Sequence, residues 1–498
     1  MEEAKQHLML THACIIVLTF ISSIVLLSSC AVGEDSTPFT SDVKNATLAN
    51  PDSITFAKNA AETELTISWK VVHGAKGYEF TLYNVDDPDK PVVVGEEKQL
   101  VDGLSATREL MPDTKYRVSL RTIGDAQYNN SDAPEAGVIE YSTLVPAVAK
   151  IPAGTDISTF LNDWLAKNPL YGKTEDGTYL TDSTEIAFEL EAGGSYTMSA
   201  PVDFGKYWVT LRGSKVSHAK LALSGSALFS TTSGLKLKFM DMDCAAMTSD
   251  ALLTLSATPD ERILGTGSYY IIPESKPIVI SSCNISKLPN RLFFENIKKK
   301  YCVGVALIND CKVELTTTNT AQISYIDFNK QGFINDLSIK GCTFYYNGTG
   351  AKNNYFVRYS NSARPDRAGF ANAYLNYTTS TFYNVCNGGQ MGNYGSFARN
   401  TIIYTLKKCI FQDCGSGQVV RRFLAGRNSS QMTTDFSQNT YVYNGKIGEA
   451  DYDKSGTALS TDPNFVDAAN ANFTPQGADQ LQYLTGDPRW LPATTASK

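Results

Sequence analysis

Histidine is scarce in this 498-residue chain: there are four, and only His73 and His218 lie beyond the first thirty positions. His218 is the only imidazole in the large C-terminal body, so a His-rich zinc site is excluded there and a His-dependent catalytic triad would have to use that one residue. No Cys-x-x-Cys occurs, which removes the usual zinc ribbons, and no glycine pattern of a nucleotide-binding loop is present. Charged residues make up only 19% of the chain, too few for long solvated helices. The longest apolar run, Ala13 to Leu27, falls short of the ~20 residues that span a bilayer.

What is abundant points to strands and turns. With 36 Gly, 26 Tyr and 23 Phe in a chain that is 42% hydrophobic, the balance is that of an all-β protein. Its length exceeds what one core usually serves, so more than one domain is expected.

Residues 1–30 read as an address. Lys5, His7 and His12 precede the apolar run, which ends in Leu27-Ser28-Ser29-Cys30. This resembles a lipobox, so Cys30 is the expected lipidation site and mature N-terminus, with the membrane as one partner. Glu34 and Asp35 resemble the sorting signal of lipoproteins on the outer face of an outer membrane. Residues 31–50 are polar and aperiodic, as a tether would be.

Alternating runs within 51–145, among them Leu65 to Trp69, Gly77 to Tyr83 and Tyr116 to Leu120, predict a small β-sandwich. The stretch Leu110 to Tyr116 resembles the tyrosine corner of fibronectin type III domains, and Trp69 sits like their early-strand tryptophan. The resemblance implies core and corner roles for these two aromatics, and a spacer role for the domain. Beyond it, Ile157, Phe160, Leu161, Trp164 and Leu165 follow helical spacing behind Thr155 and Asp156. They predict one short helix, placed to cap an open solenoid end, with the N-terminal cap region spanning about 150–205.

From Val209 the chain repeats. Reference positions Ser214, Met242, Cys283, Cys311, Cys342, Ser380, Cys409 and Asn439 each have an apolar residue three before and another two after, as in Ile339 and Phe344 around Cys342. Alternation changes phase across each reference, which predicts two short strands joined by a tight bend at residues such as Asn309-Asp310 and Lys340-Gly341. Units this small cannot bury their own apolar faces, so they stack. The fold class predicted is all-β: a sandwich, then a right-handed parallel β-helix over 146–498, including a C-terminal segment at about 460–498. Cys283, Cys311, Cys342 and Cys409 fall in one inward column, a buried thiol ladder in which disulfides between neighbouring rungs stay open on distance.

These repeats, together with the closing segment from Asp462-Pro463-Asn464-Phe465 to Trp490, resemble the pectate-lyase-like superfamily of β-helical proteins. With the lipobox and the sandwich, the chain is similar to surface lipoproteins of bacterial polysaccharide-utilisation systems. The resemblance implies glycan chemistry, but not all the superfamily's catalytic motifs are visible. The body carries no Asp-Asp signature of a β-helical hydrolase, and Arg364-Pro365-Asp366-Arg367 departs in spacing from the lyases' Arg-and-Pro motif. Calcium, which many of these lyases use, has only Asp241 and Asp243 as candidate ligands; no other cofactor is expected.

Charge narrows the partner. Residues 205–449 hold 27 Lys+Arg against 15 Asp+Glu, a net of +12 on a chain whose total is −7. Such a body attracts polyanions, which at an outer surface are acidic polysaccharides rather than nucleic acid. Phe356-Val357-Arg358, Phe397-Ala398-Arg399 and Val419-Val420-Arg421 recur in successive coils, with Arg364 and Arg427 six residues beyond two of them. Stacked, Arg358, Arg399 and Arg421 would form an outward ladder suited to carboxylates. Tyr345 and Tyr383 share another outward column that would stack on sugar rings. The expected function is binding of an acidic polysaccharide on the β-helix flank, beside other polysaccharide-uptake proteins; the alternative is a lyase with an Arg or Lys base.

Overall fold

The computed structural model describes residues 43–493, apart from 174–176, 182, 296–298, 318–323, 329–330, 349–353, 361–362, 395–396, 398–400, 424–431 and 449–451. The chain divides into two units between Leu144 and Val145.

In the first unit, alternation within each strand turns one face inward. Ile54–Lys58, Glu64–Trp69 and Ser105–Glu109 form an antiparallel three-stranded sheet, and a five-stranded sheet is built on Ala75–Asn84, Lys115–Gly124 and Gly137–Ser142. Leu65, Ile67 and Trp69 from one sheet meet Tyr78, Phe80, Leu82, Tyr116, Val118 and Leu120 from the other in a single core. Trp69 stacks on Phe80 at 5.8 Å. The buried Tyr116 keeps its hydroxyl satisfied by accepting from the Met111 N–H at 2.7 Å, a bond worth ~1 kcal/mol that ties the corner to the strand.

The second unit is a solenoid of three parallel sheets. The first sheet has eleven strands, the second ten, the last of them a short antiparallel strand at Lys446–Ile447, and the third seven. A typical coil runs from Phe333–Lys340 in the first sheet to Thr343–Tyr346 in the second and Tyr355–Tyr359 in the third. Between the first and second sheets the chain turns within a few residues, one of them left-handed: Ser282, Asp310, Gly341, Thr379, Lys408 and Gln438 all have φ between 45° and 61°. The residue after each bend points inward, and its side chain serves the rung before it. Cys311 N–H reaches Cys342 Sγ at 3.4 Å, Cys342 N–H reaches Ser380 Oγ at 3.1 Å, and Cys409 N–H reaches Asn439 Oδ1 at 3.0 Å. A backbone donor freed by the bend needs a small acceptor there, which explains a column of Cys, Ser and Asn.

From Cys283 onward the register is the one the repeat predicts: Ile280, Ile308, Ile339, Tyr377, Leu406 and Phe436 align in the first sheet. The first two copies differ. Met240, not Met242, follows the bend and pairs with Ala219, while Met242 aligns with Ile285. Phe239 occupies the bend itself at φ 58°, and Val216 lies 53% exposed outside any strand. The cause is a long apolar alternation, Met240, Met242 and Cys244, in which a shift of two leaves the pattern unchanged. All eight cysteines among the described residues are free and buried. Burial pushes the Cys244 and Cys409 thiols up to about 12, so they pack as inert small hydrophobes.

Two further segments pack against the solenoid. The helix Ile157–Lys167 starts at Asp156, whose side chain accepts from Thr159 N–H. Its Trp164 meets Phe188 of the first coil edge-on at 4.9 Å. At the other end the C-terminal segment doubles back over the outer face of the second sheet. Gln480 bonds Thr440, the Asp487 N–H bonds Thr381 Oγ1, and Trp490 Nε1 bonds Thr343 Oγ1 at 2.8 Å. This strap crosses successive rungs towards Lys312, whose amine bonds the Ala471 carbonyl at 3.3 Å.

Candidate functional site

Among the described residues, Arg358 and Arg421 do not stack in the predicted ladder. Arg358 lies on a third-sheet strand in register with Asp327 on one side and Asn393 on the other. Arg421 is not on a strand: Val419–Phe423 is a short helix, and the guanidinium stands over Tyr452 at 5.7 Å. Arg364 is forked onto Asp366, two residues on. Arg399 and Arg427 lie outside the described residues. Phe356-Val357-Arg358 runs along a strand and Val419-Val420-Arg421 opens a helix, so the likeness of these two tripeptides in sequence is not a likeness in position.

Arg358 instead joins a triad that the sequence did not reveal. Asp327 is fully buried and accepts from Arg358 Nε at 3.1 Å and Nη2 at 2.8 Å, and from Arg291 Nε at 3.1 Å. The three side chains come from three consecutive third-sheet strands, and Arg291 also rests on the Phe294 ring at 4.0 Å. Two guanidiniums compensate one desolvated carboxylate, and the cluster rivets three coils together.

Tyr345 and Tyr383 do share a column, but it is covered. Phe473 of the strap sits 5.3 Å from each ring, and Phe465 adds an edge contact to Tyr383. Burial, with help from Glu314, raises the Tyr345 phenol to about 12. The pair anchors the strap rather than facing a ligand.

Where the strap ends, the second sheet is open. Ser195, Lys220, Asp241 and Asn284 follow one another rung by rung in one outward column, and Lys312 is next. With Ala222, Asp243 and Ser286 they line an open groove of about 380 Å³. Outward polar side chains alternate with inward Leu221, Met242 and Ile285, which is why the face is hydrophilic over an apolar core. Asp241 is the hub: its Oδ1 accepts from Asn284 Nδ2 at 2.7 Å and lies 2.9 Å from His218 Nδ1. Asp243, 53% exposed, stands 3.9 Å from the amine of Lys287.

Asp241 and Asp243 thus both face outward, as their alternation with Met242 predicts. Their neighbours are an imidazole, an amide and an amine rather than further carboxylates. Among the described residues no group of three or more His, Cys, Asp or Glu side chains converges to hold a metal ion, and two carboxylates are well short of the six to eight oxygens calcium takes. His218, Lys220, Asn284 and Lys287 were not singled out by sequence. A register corrected by two residues would have placed Asp241 beside Asn284, whereas Lys220 reaches the column because the first bend runs five residues longer, from Ser214 to Ala219.

Three family models match successive stretches of the chain, each described as a domain of unknown function: DUF4992 over residues 4–193, DUF4957 over 194–347 and DUF5123 over 375–490. Among solved structures, the chain is similar to a family 28 exopolygalacturonase of Yersinia enterocolitica, at 9% identity and a TM-score of 0.15, over 80% of this chain and 97% of that one. No curated protein matches it.

Proposed function

We propose that this chain is a lipid-anchored cell-surface protein that binds an acidic polysaccharide in the second-sheet groove. In this reading Cys30 carries the lipid, the first unit is a fibronectin type III-like spacer, and the helix Ile157–Lys167 caps the solenoid. The observation that carries the binding role is the column Lys220, Asp241, Asn284 on an open face. A uronate ring offers one carboxylate and adjacent hydroxyls. An amine suits the first, and a hydrogen-bonded carboxylate and amide suit the second. The +12 balance of residues 205–449 adds long-range attraction. A lyase acting in the same groove is the second reading, favoured by Lys220 on the rung next to Asp241 and by His218 at 2.9 Å from the Asp241 carboxylate.

The test is equilibrium binding of the soluble protein to uronate glycans and to dextran, at low and high salt. Lys220→Ala should weaken uronate binding several-fold at low salt and much less at high salt, where exposed charges more than ~8 Å apart are screened. Dextran binding should not respond. Absorbance from unsaturated uronates in the same mixtures would establish the lyase. If no uronate glycan binds and none is cleaved, the reading is wrong.

A further inference from the structure

The groove carries a charge order that a simple polyanion does not match. Its middle rung, Met240–Met247, presents Asp241 and Asp243, both well exposed. The rung on one side carries Lys220, and the rung on the other carries Asn284 and Lys287. Neighbouring rungs lie ~4.8 Å apart, so the rungs that carry the two lysines stand about 10 Å apart along the solenoid axis, with the two carboxylates on the rung between them. That separation is about the length of one disaccharide unit of an extended glycan.

We infer that the groove selects a polysaccharide in which acidic and neutral sugars alternate, and discriminates against a homopolymer of uronic acid. The inference rests on the binding reading above and sharpens it. In an alternating chain the carboxylates fall on the Lys220 and Lys287 rungs. The neutral ring between them lies over Asp241 and Asp243, whose carboxylate oxygens accept from its hydroxyls. A homopolyuronate puts a carboxylate on every ring, so one of them must face the acidic rung. Two unit charges about 5 Å apart in water repel enough to change affinity roughly fourfold, and two such contacts roughly sixteenfold.

Binding should be measured in EDTA with size-matched oligosaccharides of hyaluronan, which alternates glucuronate with a neutral amino sugar, and of polygalacturonate. The wild-type chain should prefer the alternating ligand roughly sixteenfold. The double variant Asp241→Asn, Asp243→Asn should close that gap to within threefold by gaining affinity for polygalacturonate. Asn at 241 keeps an acceptor for His218, and thermal unfolding of the variant verifies that the coil is intact. Asp243→Asn alone, at the more exposed position, should give part of the gain. Equal or tighter binding of polygalacturonate by the wild type overturns the inference while leaving acidic-glycan binding standing. Failure of both ligands, and of other uronate glycans, sinks the binding reading and the inference with it.

Discussion

Asp327→Ala should be among the more damaging single substitutions in the solenoid. The carboxylate has no exposed surface, and it holds Arg291 and Arg358, whose side chains are 13% and 22% exposed. Removing it strands two guanidiniums side by side, each with a lost charge-assisted bond and a like-charged neighbour. Breaking a buried ion pair from one side costs about 3–5 kcal/mol. Because both arginines reach some solvent, the lower half of that range is expected. Arg358→Ala should cost less, about 1–2 kcal/mol, because Arg291 remains to compensate Asp327. Equilibrium denaturation of the full chain measures both, and hydrogen exchange shows where the loss falls. In a solenoid each coil leans on its neighbours, so protection should fall first in the strands Arg291–Phe294, Ser324–Phe328 and Tyr355–Tyr359. If Asp327→Ala lies within ~0.5 kcal/mol of wild type, or Arg358→Ala costs more than it, the triad is not what rivets these coils.

The strap should answer to pH. Burial raises the Asp487 carboxyl from its ordinary 3.8 to about 6, against the opposing pull of Arg489. Between those values the folded chain holds the proton more tightly than the unfolded one, so this contribution is full below pH 3.8 and lost as pH rises to about 6. Proteolytic cutting within 460–490 should slow as pH falls through that window, and Asp487→Asn should remove the dependence. Separately, Cys30→Ala should release the protein from the membrane fraction; unchanged fractionation would refute lipidation there.

The solenoid was legible where a chemical constraint repeats at each turn. A bend that frees a backbone donor asks for a small acceptor on the next rung, and Cys311, Cys342, Ser380 and Asn439 record that need one coil at a time. Where the constraint is only apolar alternation, as at Met240 and Met242, a two-residue slip passes unnoticed. The third sheet was opaque for another reason. Its strands follow loops of variable length and have lost clean alternation: Leu292, Phe293 and Phe294 are all buried in succession. Tripeptides ending in Arg therefore gave no register, and the pairing of Arg358 with Asp327 could not be seen. The strap over Tyr345 and Tyr383 was hidden by distance, since nothing local at Phe473 states which rungs it will cover.

That covering divides the outer face of the second sheet into two unlike parts. Over the later coils the aromatic column is consumed by Phe465, Phe473 and Trp490, and Lys312 is drawn between Tyr345 and Trp490, where burial lowers its pKa. Over the earlier coils the same columns carry Lys220, Asp241, Asn284 and Ser286 and stay open. An aromatic platform is thus spent on holding the chain to itself, and what remains for a ligand is a polar strip. Recognition on such a strip depends on hydrogen-bond pattern and charge order more than on stacking, because none of the described residues lining it is an exposed ring. The strip is also short. It runs from Ser195 to Asn284 over four rungs, or ~14 Å, before the strap blocks it. On the binding reading, a groove of that length holds only a few sugar rings, so the affinity of a single site is modest. Retention of a long polysaccharide would then come from repeated units on one chain meeting many copies of the protein on a surface, where linked weak contacts multiply.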